Sequence, residues 1–199
     1  GQTAFNAGHW DEAHSLGEKF IKDFKSDRPL VAPSASCLYM VKNQYAKLFH
    51  NTSLHIEFRK QSDKSFELTD FLVNKLNIKH LGAQFSHKVW LHESCSASRK
   101  YPLKEEIHTL LNNVKGLEML NPEELDDSCG FGSTFSLVHE PISVSLAKRL
   151  VERATEAGAE YIITTEATCL MQVDSYVQKH NLPMKVIHIV DVLAKGWEV

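Results

Sequence analysis

Ile162-Ile163-Thr164-Thr165-Glu166-Ala167-Thr168-Cys169-Leu170 is an apolar run that ends in small polar residues and then in a cysteine opening a helical pattern. Leu30-Val31-Ala32-Pro33-Ser34-Ala35-Ser36-Cys37-Leu38 aligns with it without a gap. Each reads as a short buried strand that turns directly into a helix, the repeating step of an α/β protein. A cysteine at that junction lies at a helix N-terminus, where the dipole and the free amides favour thiolate. The similarity extends outward to Asp70-Phe71-Leu72 and Asp191-Val192-Leu193. The order glycine, helix, strand, cysteine, helix, strand or turn, short helix runs over 1–77 and again over 130–197. The expected architecture is α/β, with two similar pseudo-repeat lobes whose mostly parallel sheets are flanked by helices. Residues 1–85 are expected to form the first repeat and residues 86–199 the second.

The remaining elements follow from periodicity and punctuation. Trp10, Ala13, Leu16, Phe20, Ile21 and Phe24 fall at helical spacing over 9–25, and Arg28-Pro29 ends that helix. Residues 37–49 and 67–76 read as helices, and 51–65 as a turn followed by a helix. Lys88-Val89-Trp90-Leu91-His92 alternates as a strand, with His92 facing solvent and Cys95 in the loop beyond it. Pro102 precedes a helix over 103–114, Leu117 to Leu120 reads as a strand, and the acidic stretch 122–127 as a loop. Pro141 opens a helix that Gly158 stops. A strand over 161–164, a helix over 169–180, a strand over 185–189 and a short helix over 191–197 complete the chain.

The 199 residues suffice for a substantial core. A formal net charge of -3 gives no electrostatic footprint for nucleic acid or an anionic membrane. Apolar stretches such as Val186 to Val190 are far too short to span a bilayer, and the N-terminus shows no signal-peptide pattern. Four widely spaced cysteines do not make a disulfide scaffold, which points to a reducing, cytoplasmic setting. Gly130-Phe131-Gly132 lacks the preceding strand and third glycine of a dinucleotide-binding turn. No thiol–imidazole constellation with an orienting third group is legible. The informative set is therefore the cysteines themselves, since thiolates bind soft metals and iron–sulfur clusters.

Cys95, Cys129-Gly130-Phe131-Gly132 and Cys169-Leu170-Met171-Gln172, together with Phe5-Asn6-Ala7-Gly8, Ser34-x-Ser36-Cys37, Thr134-Phe135 and Gly158-Ala159, resemble the cysteine-rich "CCG" domain. That domain occurs in tandem in the lactate utilisation protein A and glycolate oxidase iron–sulfur subunit family, and in heterodisulfide reductase. The resemblance covers essentially the whole chain. It implies an iron–sulfur electron-transfer subunit of a lactate- or glycolate-oxidising complex, an oxidoreductase component that takes electrons from a partner dehydrogenase. Cys95, Cys129, Cys169 and Cys37 are the implied cofactor-binding residues. The family's further cysteines of the first repeat would precede Gly1, leaving Cys37 as the remaining ligand of that repeat.

Two departures stand out. Ser128 occupies the place of the first cysteine of the pair, which makes it the candidate fourth ligand beside Cys95, Cys129 and Cys169. Ser96 and Ser133 replace a histidine and a glycine common in relatives. Structural zinc is the alternative metal, since three sulfurs and one nitrogen satisfy it and His92 stands three residues before Cys95. A cluster-free scaffold subunit is the other alternative.

Overall fold

The computed structural model describes residues 1–120 and 128–195. In chain order the elements are α1 (Gln2–Asn6), α2 (Trp10–Asp23), β1 (Leu30–Ala32), α3 (Ala35–Tyr39), α4 (Tyr45–Leu48), α5 (His55–Asp63), β2 (Ser65–Glu67), α6 (Leu68–Asp70), β3 (Lys88–His92), α7 (Lys104–Leu111), β4 (Glu118–Met119), α8 (Phe135–Val138), α9 (Glu140–Glu156), β5 (Tyr161–Thr164), α10 (Ala167–Lys179), β6 (Lys185–His188) and α11 (Ile189–Leu193). A π-helical turn, Met40–Gln44, joins α3 to α4 without a break, and two more follow α6 and Cys95. The order α1-α2-β1-α3 to β2-α6 is repeated by α8-α9-β5-α10-β6-α11, as the sequence repeat requires. The acidic stretch 122–127 and the final turn at Trp197 lie outside the described residues.

The protein is an α/β fold in which every strand pairing between named strands is parallel. One sheet holds β1 and β2; the other has the order β4-β3-β5-β6. In-register pairing aligns His92 with Thr164 and Thr164 with His188. The strands therefore finish level, and the chain leaves all three at one edge of the sheet.

Side-chain alternation along these strands sorts the core into two layers. Val89, Leu91, Ile163 and Ile187 face a layer closed by α7 and α11, through Ile107, Leu110, Leu111, Val192 and Leu193. Ala35, Leu72 and Val73, from the first repeat, also pack there. Trp90, Ile162 and Val186 face the opposite layer, closed by Leu150, Val151 and Ala154 of α9 and by Cys169, Val173 and Val177 of α10. Cys129 belongs to this second layer. A third cluster, Ile21, Met40, Tyr45, Phe49 and Phe58, is built within the first repeat.

Two sequence expectations change. Cys95 is not in a loop: its backbone is helical and it caps the π-helical turn Ser96–Lys100, whose Ala97 amide is held by Ser94 Oγ at 3.1 Å. Strand β1 is not fully buried, with Val31 39% exposed, because β1 has a hydrogen-bonded neighbour on one side only.

The two repeats are tied by a buried carboxylate. Glu166, 3% exposed at the N-cap of α10, reaches the start of α3. It accepts hydrogen bonds from the Ser36 amide at 2.7 Å, Ser34 Oγ at 2.9 Å and Ser36 Oγ at 3.2 Å. An anionic acceptor at a helix N-terminus satisfies amides that have no intrahelical partner. Glu166→Ala strips these donors of their acceptor within the interior. The expected cost is about 1–3 kcal/mol, read as a lower urea midpoint at unchanged slope. An unchanged midpoint would remove Glu166 from this role.

Candidate metal centre

Three donors converge where β3 and β5 end. Cys129 and Cys169 are 4% and 6% exposed and share a hydrogen bond between sulfurs 3.0 Å apart. His92, 3% exposed, places a ring nitrogen so that all three donor atoms lie within 4.8 Å of one another. The parallel register explains the meeting. His92 is the last residue of β3, beside Thr164, and β5 then passes through Thr165 and Glu166 into the first turn of α10, where Cys169 sits.

Cys129 is delivered by the turn that follows it. Gly130 has φ +86°, and a side-chain carbon there would meet the Ser143 carbonyl oxygen at 2.3 Å. Only glycine lets the chain lie this close to α9. Ser143 Oγ donates to the Gly130 carbonyl at 2.8 Å and accepts from Gln172 Nε2 at 2.8 Å, which locks the turn to both α9 and α10. On the other side, the Ser94 amide donates to Thr165 Oγ1 at 3.1 Å and holds the segments after β3 and β5 together.

The two thiols are electrically unlike. Cys129 is pushed down from an ordinary 9.0 to about 5, chiefly because the Cys169 thiol hydrogen-bonds its thiolate. His92 and the Phe131 amide add donors, and burial opposes them. Cys169 moves up, through that same hydrogen bond, burial, and the charges of Cys129, Glu166 and Cys95. The resting pair is a thiolate at Cys129 held by a thiol at Cys169. This reverses the sequence expectation for Cys169. Its helix N-terminus does favour charge, but two ionised sulfurs 3.0 Å apart in an apolar layer repel far more strongly.

The other candidate residues fall at different distances from this group. Cys95 is partly buried and close enough for its charge to act on Cys169, yet it lies outside the set of three. Ser128 Oγ accepts from the Gly130 amide at 3.2 Å and so shapes the turn beside Cys129. Cys37 is exposed in α3, its amide bonded to Ser34 Oγ, and it lies near the Gly1 amino group and Tyr45. The Glu166 clamp links the helix carrying Cys37 to the helix carrying Cys169, although Cys37 itself is not among the converged donors.

His92 does not face solvent. Both faces of β3 are covered, and the histidine shares its face with Trp90 in the layer that holds Cys129. The even-numbered alternation of Trp90 and His92 carries that signal. Glu166 and Thr165, which position the site, leave no separate mark in the sequence.

The donor set fits a thiophilic metal centre. It offers a preformed thiolate, a second sulfur, and a buried imidazole whose Nε2 has no hydrogen-bond partner. Parallel α/β architecture and this buried sulfur–imidazole group define the class: a cysteine-rich α/β protein with a candidate metal site.

Comparison with known proteins agrees. The model of the cysteine-rich domain, CCG, matches residues 89–174, which contain all three donors. The uncharacterized protein YkgE of Escherichia coli (strain K12) is 36% identical over 97% of this chain and 81% of its own length. Lactate utilization protein A 2 of Bacillus cereus (strain Q1) is 34% identical over 98% of this chain and 81% of its own. Lactate utilization protein A of Bacillus licheniformis is 35% identical over 97% and 81%. The chain belongs to the lactate utilization protein A family of cysteine-rich domain proteins.

The ionisation of Cys129 sets a pH dependence. Its folded value lies below its unfolded value, so its contribution to stability is complete above the ordinary thiol value. That contribution is lost as pH falls through about 5. Metal-free protein is therefore expected to gain stability from about pH 5 to about pH 9, and Cys169, shifted the other way, reverses the trend above that. Ultraviolet thiolate absorbance should titrate near pH 5 and be absent from Cys129→Ser. A midpoint at the ordinary thiol value would contradict the assignment.

Proposed function

We propose that this protein is an iron–sulfur electron-transfer subunit of a lactate- or glycolate-oxidising system, accepting electrons from a partner dehydrogenase. The observation that carries the reading is the convergence of Cys129 and Cys169 at the end of β3, with Cys95 nearby, in a chain of this family. Cys95, Cys129 and Cys169 would hold the cluster, with Ser128 as the candidate fourth ligand and Cys37 belonging to the first repeat. When bound, an iron–sulfur cluster supplies reversible one-electron chemistry whose potential depends on hydrogen bonds to sulfur and on burial.

The chain's own residues suit that task. The Phe131 amide and His92 donate toward Cys129 and stabilise negative charge on its sulfur. Trp90, Phe131 and Val173 pack around the pair and exclude water from it. Burial makes each of those hydrogen bonds count more than it would in water. In this reading the partner dehydrogenase oxidises the organic substrate and this chain carries the electrons. Four widely spaced cysteines suit a reducing, cytoplasmic setting. No helix of the described residues is long and apolar enough to cross a membrane.

One observation favours a second reading, structural zinc. A tetrahedral ion with metal–sulfur bonds of about 2.3 Å places its ligands roughly 3.8 Å apart. Three donors within 4.8 Å of one another are close enough to share one ion, with the two sulfurs, 3.0 Å apart, separating by roughly 0.8 Å to seat it.

Elemental analysis separates the two. Protein purified without oxygen should be brown, bleach with dithionite, and contain iron and acid-labile sulfide, and Ser128→Cys should raise its iron content. Equimolar zinc in a colourless preparation would favour the second reading, and the absence of both metals would overturn both.

A further inference from the structure

We propose that Cys129 and Cys169 form a redox-active dithiol, which a hydroperoxide closes to a disulfide whenever the centre holds no metal. This inference rests on the sulfur geometry and holds for either metal. The two residues are 40 positions apart in sequence and come from different elements, yet their sulfurs touch at 3.0 Å with nothing between them. A disulfide bond is about 2.05 Å long, so closure asks for a movement of roughly 1 Å. Side-chain rotation and the turn before Gly130 can supply it.

Cys129 is the sulfur that His92 and the Phe131 amide face, so it attacks, as thiolate, and Cys169, in contact at 3.0 Å, resolves. The Cys129 sulfur attacks one peroxide oxygen and the O–O bond breaks. Hydroxide leaves, and Cys129 becomes a sulfenic acid. The Cys169 sulfur then attacks the Cys129 sulfur. An S–S bond forms, the S–O bond breaks, and the Cys169 proton leaves with the hydroxyl group as water. The pair gives up two electrons, and the peroxide is reduced to water and hydroxide.

The partner sulfur limits further damage. Both thiols are buried in an apolar layer, which admits a small peroxide more readily than a bulky oxidant. With Cys169 already in contact, the sulfenic acid is consumed before a second peroxide converts it to sulfinic acid. Closure also removes two of the three converged donors, so metal uptake should depend on prior reduction.

The test uses the full chain, stripped of metal with a chelator under reducing conditions and then exposed to one equivalent of hydrogen peroxide. Alkylation in denaturant followed by peptide mass spectrometry reads the outcome. The expected result is two of the four cysteines lost to alkylation, with one crosslinked peptide pair joining residues 129 and 169. Zinc binding should fall at least tenfold and return with dithiothreitol. Cys169→Ser should leave a sulfenic acid at Cys129 that dimedone traps. Sulfinic acid at Cys129 beside a free Cys169, a crosslink through Cys95 or Cys37, or four alkylated cysteines would each overturn the proposal. Because the wild-type chain alone decides it, misfolding of a variant would not obscure the answer. Anaerobically purified protein that carries no iron, yet closes the disulfide with peroxide, would sink the iron–sulfur reading and leave this one standing.

Discussion

The parallel register of β3 against β5 is the constraint from which the site follows. Pairing His92 with Thr164 ends both strands at the same height. One strand therefore contributes its last side chain where the other hands the chain to α10 and Cys169. In open parallel sheets the carboxyl ends of the strands are where helix N-termini and turns collect, and function gathers there for that reason. A slip of one residue would turn Trp90 and His92 to the other face of the sheet and separate His92 from both sulfurs.

Burial then gives the donors their character. In water, two adjacent thiols would ionise nearly independently. Inside an apolar layer bounded by Trp90, Leu150 and Val173, one charge is favoured and the second is penalised. Hydrogen bonds from His92 and Phe131 select Cys129 as the charged member. The same layer leaves His92 Nε2 without a partner, an unusual state for a buried nitrogen and one that a metal ligand would offset. The Glu166 clamp extends this polar chemistry toward the first repeat through Ser34 and Ser36.

Much of the fold is legible because it is written twice. The aligned segments ending at Cys37 and Cys169 become β1–α3 and β5–α10, and the matched short helices become α6 with the π-helical turn after it, and α11. Strand β5 can be read to the residue, since a four-residue apolar run between Gly158 and a polar turn admits little else. Strand β2 merges into the ends of neighbouring helices, because Ser65-Phe66-Glu67 has no apolar run to mark it. Short α1 and α8 carry too few residues for a periodic signal.

The site is legible in its residue types but not in its grouping. Sequence spacing selects three cysteines, whereas the structure draws two of them together with His92 and leaves Cys95 at the margin. Register decides that grouping, and register is a tertiary property. The division of charge between Cys129 and Cys169 is illegible for a related reason: local helix dipole and long-range contact pull in opposite directions, and contact is the stronger. X-ray absorption at the metal edge of anaerobically purified protein reads the occupant of the site directly. An iron–sulfur centre predicts sulfur neighbours at about 2.3 Å together with an iron–iron shell, both lost in Cys129→Ser. A zinc edge carrying only sulfur and nitrogen neighbours would contradict it, as would an iron spectrum that Cys129→Ser leaves unchanged.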